Sequence, residues 1–279
     1  VLVQIAKINE ITTELQGVEE SLVKSSLINS RWLLIFCVLF LAGFTWCCLH
    51  YANKMLGYGP HTSASLHGGK IDSMFNVTAF FTVMVFVLCH IALFWFTYKY
   101  RYQKGRKTLF IPHDNRLEMI WTAIPAFVMV ILVVKGLVAW NDIMADVTTG
   151  EDYIEIEATA SQFAWNLRYP GPDNKLGVKD FRLIKPGIND LGQDWNDERN
   201  LDDFNSDELV IPKGKKIRIR IIGKDVLHNF YLPHFRVKMD AVPGIPTYFV
   251  FTPIKSTEDY RQELRKYPEY NVPSDPTDP

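Results

Sequence analysis

The chain has 279 residues, of which 48% are hydrophobic and 22% charged, and its formal net charge is −1. Residues 1–141 carry 12 Lys/Arg against 7 Asp/Glu, residues 142–279 carry 18 against 24, and all the long apolar runs lie in the first part. A disordered chain, a disulfide scaffold and a purely soluble enzyme are thereby excluded, and the acidic soluble part excludes a nucleic-acid binder.

Residues 1–30 place Ile5, Ile8, Ile11, Leu15, Val18 and Leu22 at roughly helical spacing. They read as an amphipathic helix at the cytoplasmic face, with a plain tail as the other reading. Three apolar runs follow: 22 uncharged residues between Arg31 and Lys54, 26 between Asp72 and Lys99, and a stretch from Glu118 to Asp142 whose one charge is Lys135. Crossing a hydrocarbon core takes about 20 residues of helix, so the runs predict an extra transmembrane helix at 31–54 and a transmembrane hairpin at 72–141. The first run lacks a small-residue cleavage site and is read as a helix, not as a signal. Trp32, Tyr51, Tyr98, Trp121 and Trp140 stand at the interfaces, and Lys135 lies close enough to the exit to snorkel. The loop 99–116 holds six Lys/Arg and one Asp. That bias puts it in the cytoplasm and residues 142–279 on the opposite, periplasm-like side. Cys37, Cys47, Cys48 and Cys89 all fall inside apolar runs, where they read as packing residues, and residues 142–279 contain no cysteine.

After Trp140 the pattern changes to period two. YIEIEATA (153–160) and KIRIRII (216–222) alternate, and QFAWNLRY (162–169), ELVIP (208–212), HNFYLP (228–233) and TYFVFT (247–252) are rich in aromatic and β-branched residues. These predict an all-β extracytoplasmic domain over 142–252 with an insertion at 170–206. The acidic block 190–208 reads as a solvated insertion or a dock for another subunit, with steering of a basic partner as the alternative. Residues 253–279 contain a helix-like piece, EDYRQELRKY, and end in Pro-rich linker composition, read here as an insertion or linker within a longer polypeptide.

The local strings sharpen this plan. RLEMIWTAIPAFVMVIL (116–132) resembles the second helix of subunit II of haem–copper terminal oxidases of bacterial type. DVLHNFYLPHFRVKMDAVPGIPT (225–247) is similar to that family's first copper-ligand strand, with its D-V-x-H and K-x-D-A-x-P-G pattern, and SQFAWNLRYPG (161–171) to its aromatic segment. The resemblance spans roughly 72–169 and 208–252. It implies an α+β membrane protein whose N-terminal transmembrane helices precede a cupredoxin-like domain, and the function of subunit II of an aerobic cytochrome c oxidase. Electrons would pass from a c-type cytochrome, or a complex bearing one, through a dinuclear copper A centre to the haem–copper site of subunit I. Subunits I and III and membrane lipid are the implied partners, and the haems belong to the partner subunit.

The resemblance also assigns residues. His228 matches a terminal copper ligand, whereas an isolated His on an apolar strand reads by itself as a core residue. The family's remaining ligands, a C-x-E-x-C loop with a His and a Met, are absent from this sequence, although His234, Met144 and Met239 lie in the soluble part. Phe163 stands where the family commonly has the Trp of electron entry, beside Trp165; a barrel-core role is the plainer reading of Trp165 and Tyr169. Glu118 matches the mouth of a proton path and reads equally as a helix-start carboxylate. Asp240 and Lys238, with Arg236, match the seam with subunit I, and Asp240 reads alternatively as a turn-capping residue. His90, deep in the second run, reads as an interhelical hydrogen-bonding residue. Two rival functions stay open: a quinol-oxidase subunit II without copper, and a non-redox membrane-anchored β domain.

Overall fold

The computed structural model describes residues 2–51 and 63–267. The Pro-rich end expected to be a linker and the start of the second interhelical loop lie outside the described residues.

The chain divides into two compact units. The first holds helices α1 (Leu2–Gln16) and α2 (Val18–Tyr51) with the greater parts of α3 (Gly68–Lys99) and α4 (Asn115–Ile143). Between α1 and α2 sits Gly17 at φ 78°, in the left-handed region that ends helices. Helix α2 then runs unbroken from the polar segment 18–30 into the apolar run, so the change of composition at Arg31 is not a change of structure. Three helices among the described residues are long and apolar enough to cross a membrane. Their apolar side chains are largely exposed, as lipid-facing surfaces require. Ile5, Ile8 and Ile11 on α1 are exposed as well.

Helices α2 and α3 meet through aromatic rings. Phe36 packs on Phe94 at 5.8 Å between centroids, Phe44 on Phe86 at 4.8 Å, and Phe40 on His90 at 5.4 Å. The His90 ring nitrogen Nδ1 lies 2.8 Å from the Phe86 carbonyl of its own helix, so its polar atom is satisfied within α3, while the ring face packs against α2. The hydrogen bond between helices at this residue is made by its backbone, the His90 carbonyl accepting from Cys37 Sγ of α2 at 4.0 Å.

The second unit carries the β domain. A five-stranded sheet has the order β3 (Phe204–Ser206), β2 (Ala164–Tyr169), β1 (Tyr153–Ser161), β4 (Lys216–Gly223), β7 (Thr247–Phe251), and β5 (His228–Leu232) pairs with β6 (Val237–Ala241) as a separate ribbon. β1 and β4 run parallel, with Ile156 opposite Ile219 and Ala158 opposite Ile221; the other pairs are antiparallel. Alternation explains the core: Ile156, Ala158 and Ala160 of β1 and Ile217, Ile219 and Ile221 of β4 are fully buried against Phe249, Phe251, Phe230 and Val237. The string ELVIP forms no strand. Tyr169 Oη instead accepts the Val210 N–H at 2.7 Å, and the chain returns irregularly to β4.

The turn Val242–Ile245 closes on an Ile245 N–H to Val242 carbonyl bond of 3.2 Å, with Gly244 at φ 77°. Pro followed by Gly suits that turn because the third position needs φ above zero. The adjacent Gly223 is forced by contact: a Cβ there would meet the Ala241 carbonyl oxygen at 2.8 Å.

The outer face of the β1–β2 hairpin is not solvated. Arg168 is 1% exposed; its Nη1 donates to Asn200 Oδ1 (2.9 Å) and Asp203 Oδ2 (3.0 Å), and its Nη2 to the Gly177 carbonyl (3.1 Å). Its Nε lies 3.4 Å from Oε1 of buried Glu157, whose other cationic neighbour is Lys179 Nζ at 2.5 Å. Burial holds the Lys179 ammonium below the usual lysine range although Glu157 opposes the shift. The 170–206 insertion, whose acidic block 190–208 reads from sequence as solvated or as a dock for another subunit, covers the sheet through a buried ionic network. Buried pairs contribute little against an apolar substitute, but breaking one strands its partner at a cost of about 3–5 kcal/mol. Arg168→Met should accordingly lower the thermal midpoint of the full-length protein sharply, and Asp203→Asn in the same chain should restore part of the loss. Additive destabilisation in the double variant would contradict the coupling.

Candidate functional site

The hairpin β1–β2 turns on two residues, Gln162 and Phe163, with Ser161 paired to Ala164 across the strands. Phe163 adopts φ 67° and its side chain is fully exposed. A bulky side chain in the left-handed region costs about 1–3 kcal/mol, which surrounding structure must offset. The turn thus holds an apolar ring in the left-handed region and wholly in water.

Asp225 fixes that tip. Its Oδ2 accepts the Gln162 N–H at 2.6 Å, while Oδ1 accepts the Val226 N–H at 2.7 Å and lies 2.6 Å from His228 Nε2. The imidazole, then the Gln162 and Val226 amides, hold the Asp225 carboxyl well below the usual carboxylate range. An ionised carboxylate only accepts, so His228 Nε2 carries a proton and the lone pair of the neutral ring sits on Nδ1. A carboxylate on the far nitrogen is the usual way to orient a metal-binding imidazole. His228 Nδ1 has no hydrogen-bond partner among the described residues. The ring is partly exposed and lies edge-on to Trp165 at 6.3 Å; Trp165 in turn meets Phe230 edge-on at 5.3 Å. His228 is thus not a core histidine. It opens β5 at the edge of the aromatic core, next to exposed Val226 and Leu227.

The other expected site residues lie elsewhere. Asp240 and Lys238 occupy the exposed face of β6, opposite Asn229 and Tyr231 of β5. Asp240 Oδ1 accepts from Asn229 Nδ2 at 2.7 Å, and Lys238 Nζ stands 5.9 Å from the centre of the Tyr231 ring. They line a concavity of ≈ 630 Å³ with Trp140, Met144 and Met239. Arg236, grouped with them by sequence, is 7% exposed and clamps Asp72 with both Nε (2.7 Å) and Nη2 (3.1 Å). His234 Nδ1 lies 3.1 Å from the Tyr260 hydroxyl and anchors α5 (Thr257–Leu264). Tyr169 is core, as its plainer reading had it. Glu118 lies in the first turn of α4, where Asp114 Oδ1 accepts the N–H groups of Arg116 and Leu117, and its Oε1 is 3.8 Å from His113 Nδ1. It belongs to the first unit and not to the β-domain site. Asp225 was missed by sequence reasoning, although its place three residues before His228 was visible in the D-V-L-H string.

Among the described residues no group of three or more His, Cys, Asp or Glu side chains could hold a metal ion. The four cysteines all lie in α2 and α3. The described residues therefore offer a copper pair with bridging thiolates one imidazole, that of His228, and no thiolate beside it.

Residues 53–138 match the family model described as cytochrome C oxidase subunit II, transmembrane domain, and residues 154–260 match that family's periplasmic domain. The alternative cytochrome c oxidase subunit 2 of Bradyrhizobium diazoefficiens is 34% identical over 198 residues, 70% of each chain. Cytochrome c oxidase subunit 2 of Cereibacter sphaeroides is 27% identical over 67% of this chain and 64% of its own. The solved periplasmic domain of subunit II of cytochrome oxidase (CoxB) of Bradyrhizobium japonicum is 30% identical over 39% of this chain and 70% of that one, with a TM-score of 0.25.

The Asp225 assignment has a direct check. At a pH where the ring is neutral, imidazole ¹⁵N shifts of His228 should report the Nε2–H form as dominant, and Asp225→Ala should produce a mixture of both tautomers. An unchanged tautomer ratio in the variant would contradict the assignment.

Proposed function

Because the chain belongs to the cytochrome c oxidase subunit II family, a subunit of an oxidoreductase complex, we propose that its β domain receives electrons from a c-type cytochrome and passes them toward the haem–copper site of subunit I. The observation that carries this reading is the Phe163–Asp225–His228 arrangement. The turn that carries the fully exposed Phe163 ring is tied, through the Gln162 N–H and one carboxylate, to the imidazole that matches the family's copper ligand.

Each residue has a part. Phe163 offers the ring on which an apolar haem edge would rest, without the indole N–H that Trp supplies. Asp225 orients the His228 ring and leaves Nδ1 with its lone pair. Trp165 packs edge-on to that ring and bars water from its inner side. When bound, a dinuclear copper centre would supply a one-electron relay, with His228 as the ligand that the described residues offer it. Asp240 and Lys238 present opposite charges on the β5–β6 ribbon, suited to a polar seam with subunit I. Glu118, half-exposed at the start of α4, offers a carboxylate suited to exchange protons with water at the cytoplasmic side. The β domain would lie in the periplasm of a bacterial inner membrane, with subunits I and III as partners in the membrane.

The Phe163 role separates from folding because the residue is strained. Phe163→Gly removes a side chain from a turn position that favours glycine. It should leave thermal stability equal or slightly raised, while oxygen uptake by the assembled oxidase, driven by reduced c-type cytochrome, falls about tenfold or more. Uptake unchanged in Phe163→Gly would overturn the entry role. Uptake driven by a quinol and not by the cytochrome would instead favour the quinol-oxidase reading.

A further inference from the structure

Helix α2 lies outside the residues matched by the family's transmembrane model, and it gives this chain a groove that the matched hairpin cannot form alone. Leu22, Ser25, Asn29 and Leu33, spaced at 3, 4 and 4 residues, make one stripe along α2. With Thr97 of α3 and the following Arg101 they enclose a cavity of ≈ 540 Å³. The wall is fixed where Ser26 Oγ accepts the Tyr102 N–H at 3.0 Å. Arg101 is held in place by its Nη1, which donates to the Tyr98 carbonyl at 2.9 Å, and by its guanidinium, 4.5 Å from the centre of the Tyr98 ring. Its remaining N–H groups, and the Asn29 amide, have no partner among the described residues. Residues 99–107 hold Lys99, Arg101, Lys104, Arg106 and Lys107 and no acid. Of these, Lys104 pairs with Glu19 at 3.1 Å, and Arg101 has no acidic partner among the described residues.

We infer that this groove binds one anionic phospholipid of the cytoplasmic leaflet, its phosphate on Arg101 and Asn29 and an acyl chain running past Leu33. The charge is of the right sign for a phosphodiester, and guanidinium and amide donors both suit its oxygens. Half-exposed Leu33, one turn beyond Asn29, has no use for a soluble anion, and it continues into the stretch of α2 whose Phe36 and Phe40 stack. The inference depends on the membrane reading of α2 and α3 and not on electron transfer, so either can fail alone.

The test is native mass spectrometry of the full chain, stripped of lipid in detergent and offered dioleoylphosphatidylglycerol or dioleoylphosphatidylcholine. One phosphatidylglycerol should be retained with a preference of about fivefold or more, the ratio expected for one cation near a lipid surface. Arg101→Gln should remove that preference and Asn29→Leu should weaken it, while Lys107→Gln, outside the groove, should keep it. Circular dichroism of each variant checks that the helices persist. If Arg101→Gln unfolds, the contrast between Asn29→Leu and Lys107→Gln decides alone. Equal retention of the two lipids, equal losses in the groove variants and Lys107→Gln, or displacement of the lipid by millimolar inorganic phosphate would overturn the proposal.

Discussion

One carboxylate holds the working end of the β domain together. Asp225 accepts from the backbone of the hairpin tip, from its own turn and from the His228 ring. Removing it would release two elements at once: the strained turn that presents Phe163 and the imidazole that opens β5. A hydrogen bond between neutral groups contributes about 1 kcal/mol to stability, and one with a charged partner roughly twice that. Because these bonds converge on one carboxylate, the tip and the ring are fixed relative to each other by geometry and not by packing alone.

That arrangement needs a rigid hairpin behind it, and the hairpin is gripped on both faces. Its inner face joins the isoleucine core, and its outer face is capped by the 170–206 segment around Arg168. A sheet with one solvated face would show polar residues on that face and nothing over them. Here the polar residues are present but buried, which gives the tip support that an exposed hairpin would lack.

The strands at 153–161 and 216–223 were legible because alternation of Ile with Glu or Arg has a single structural meaning when one face is apolar. The transmembrane helices were legible for an equally plain reason, the length of their uncharged runs. The burial of Glu157 and Arg168 was not legible. In sequence they occupy solvent-side positions, and only a distant segment 20 to 35 residues away shows that they are covered. The same distance hid the Arg236–Asp72 clamp, whose partners are 164 residues apart. ELVIP misled because its β-branched content suggested a ladder, whereas Tyr169 Oη takes up one of its backbone amides. Of the site, the histidine and the aromatic tip could be picked out by resemblance. The carboxylate joining them carries no periodic signal and emerged from three-dimensional contact.

The central claim is that His228 serves as a metal ligand through the nitrogen that Asp225 leaves free. Anomalous X-ray scattering from crystals of the assembled oxidase containing this chain, recorded on both sides of the copper absorption edge, tests it most directly. The account predicts a copper peak beside His228 Nδ1 with Nε2 still on Asp225. A copper peak on Nε2, or a fully metallated complex with no peak near His228, would contradict it.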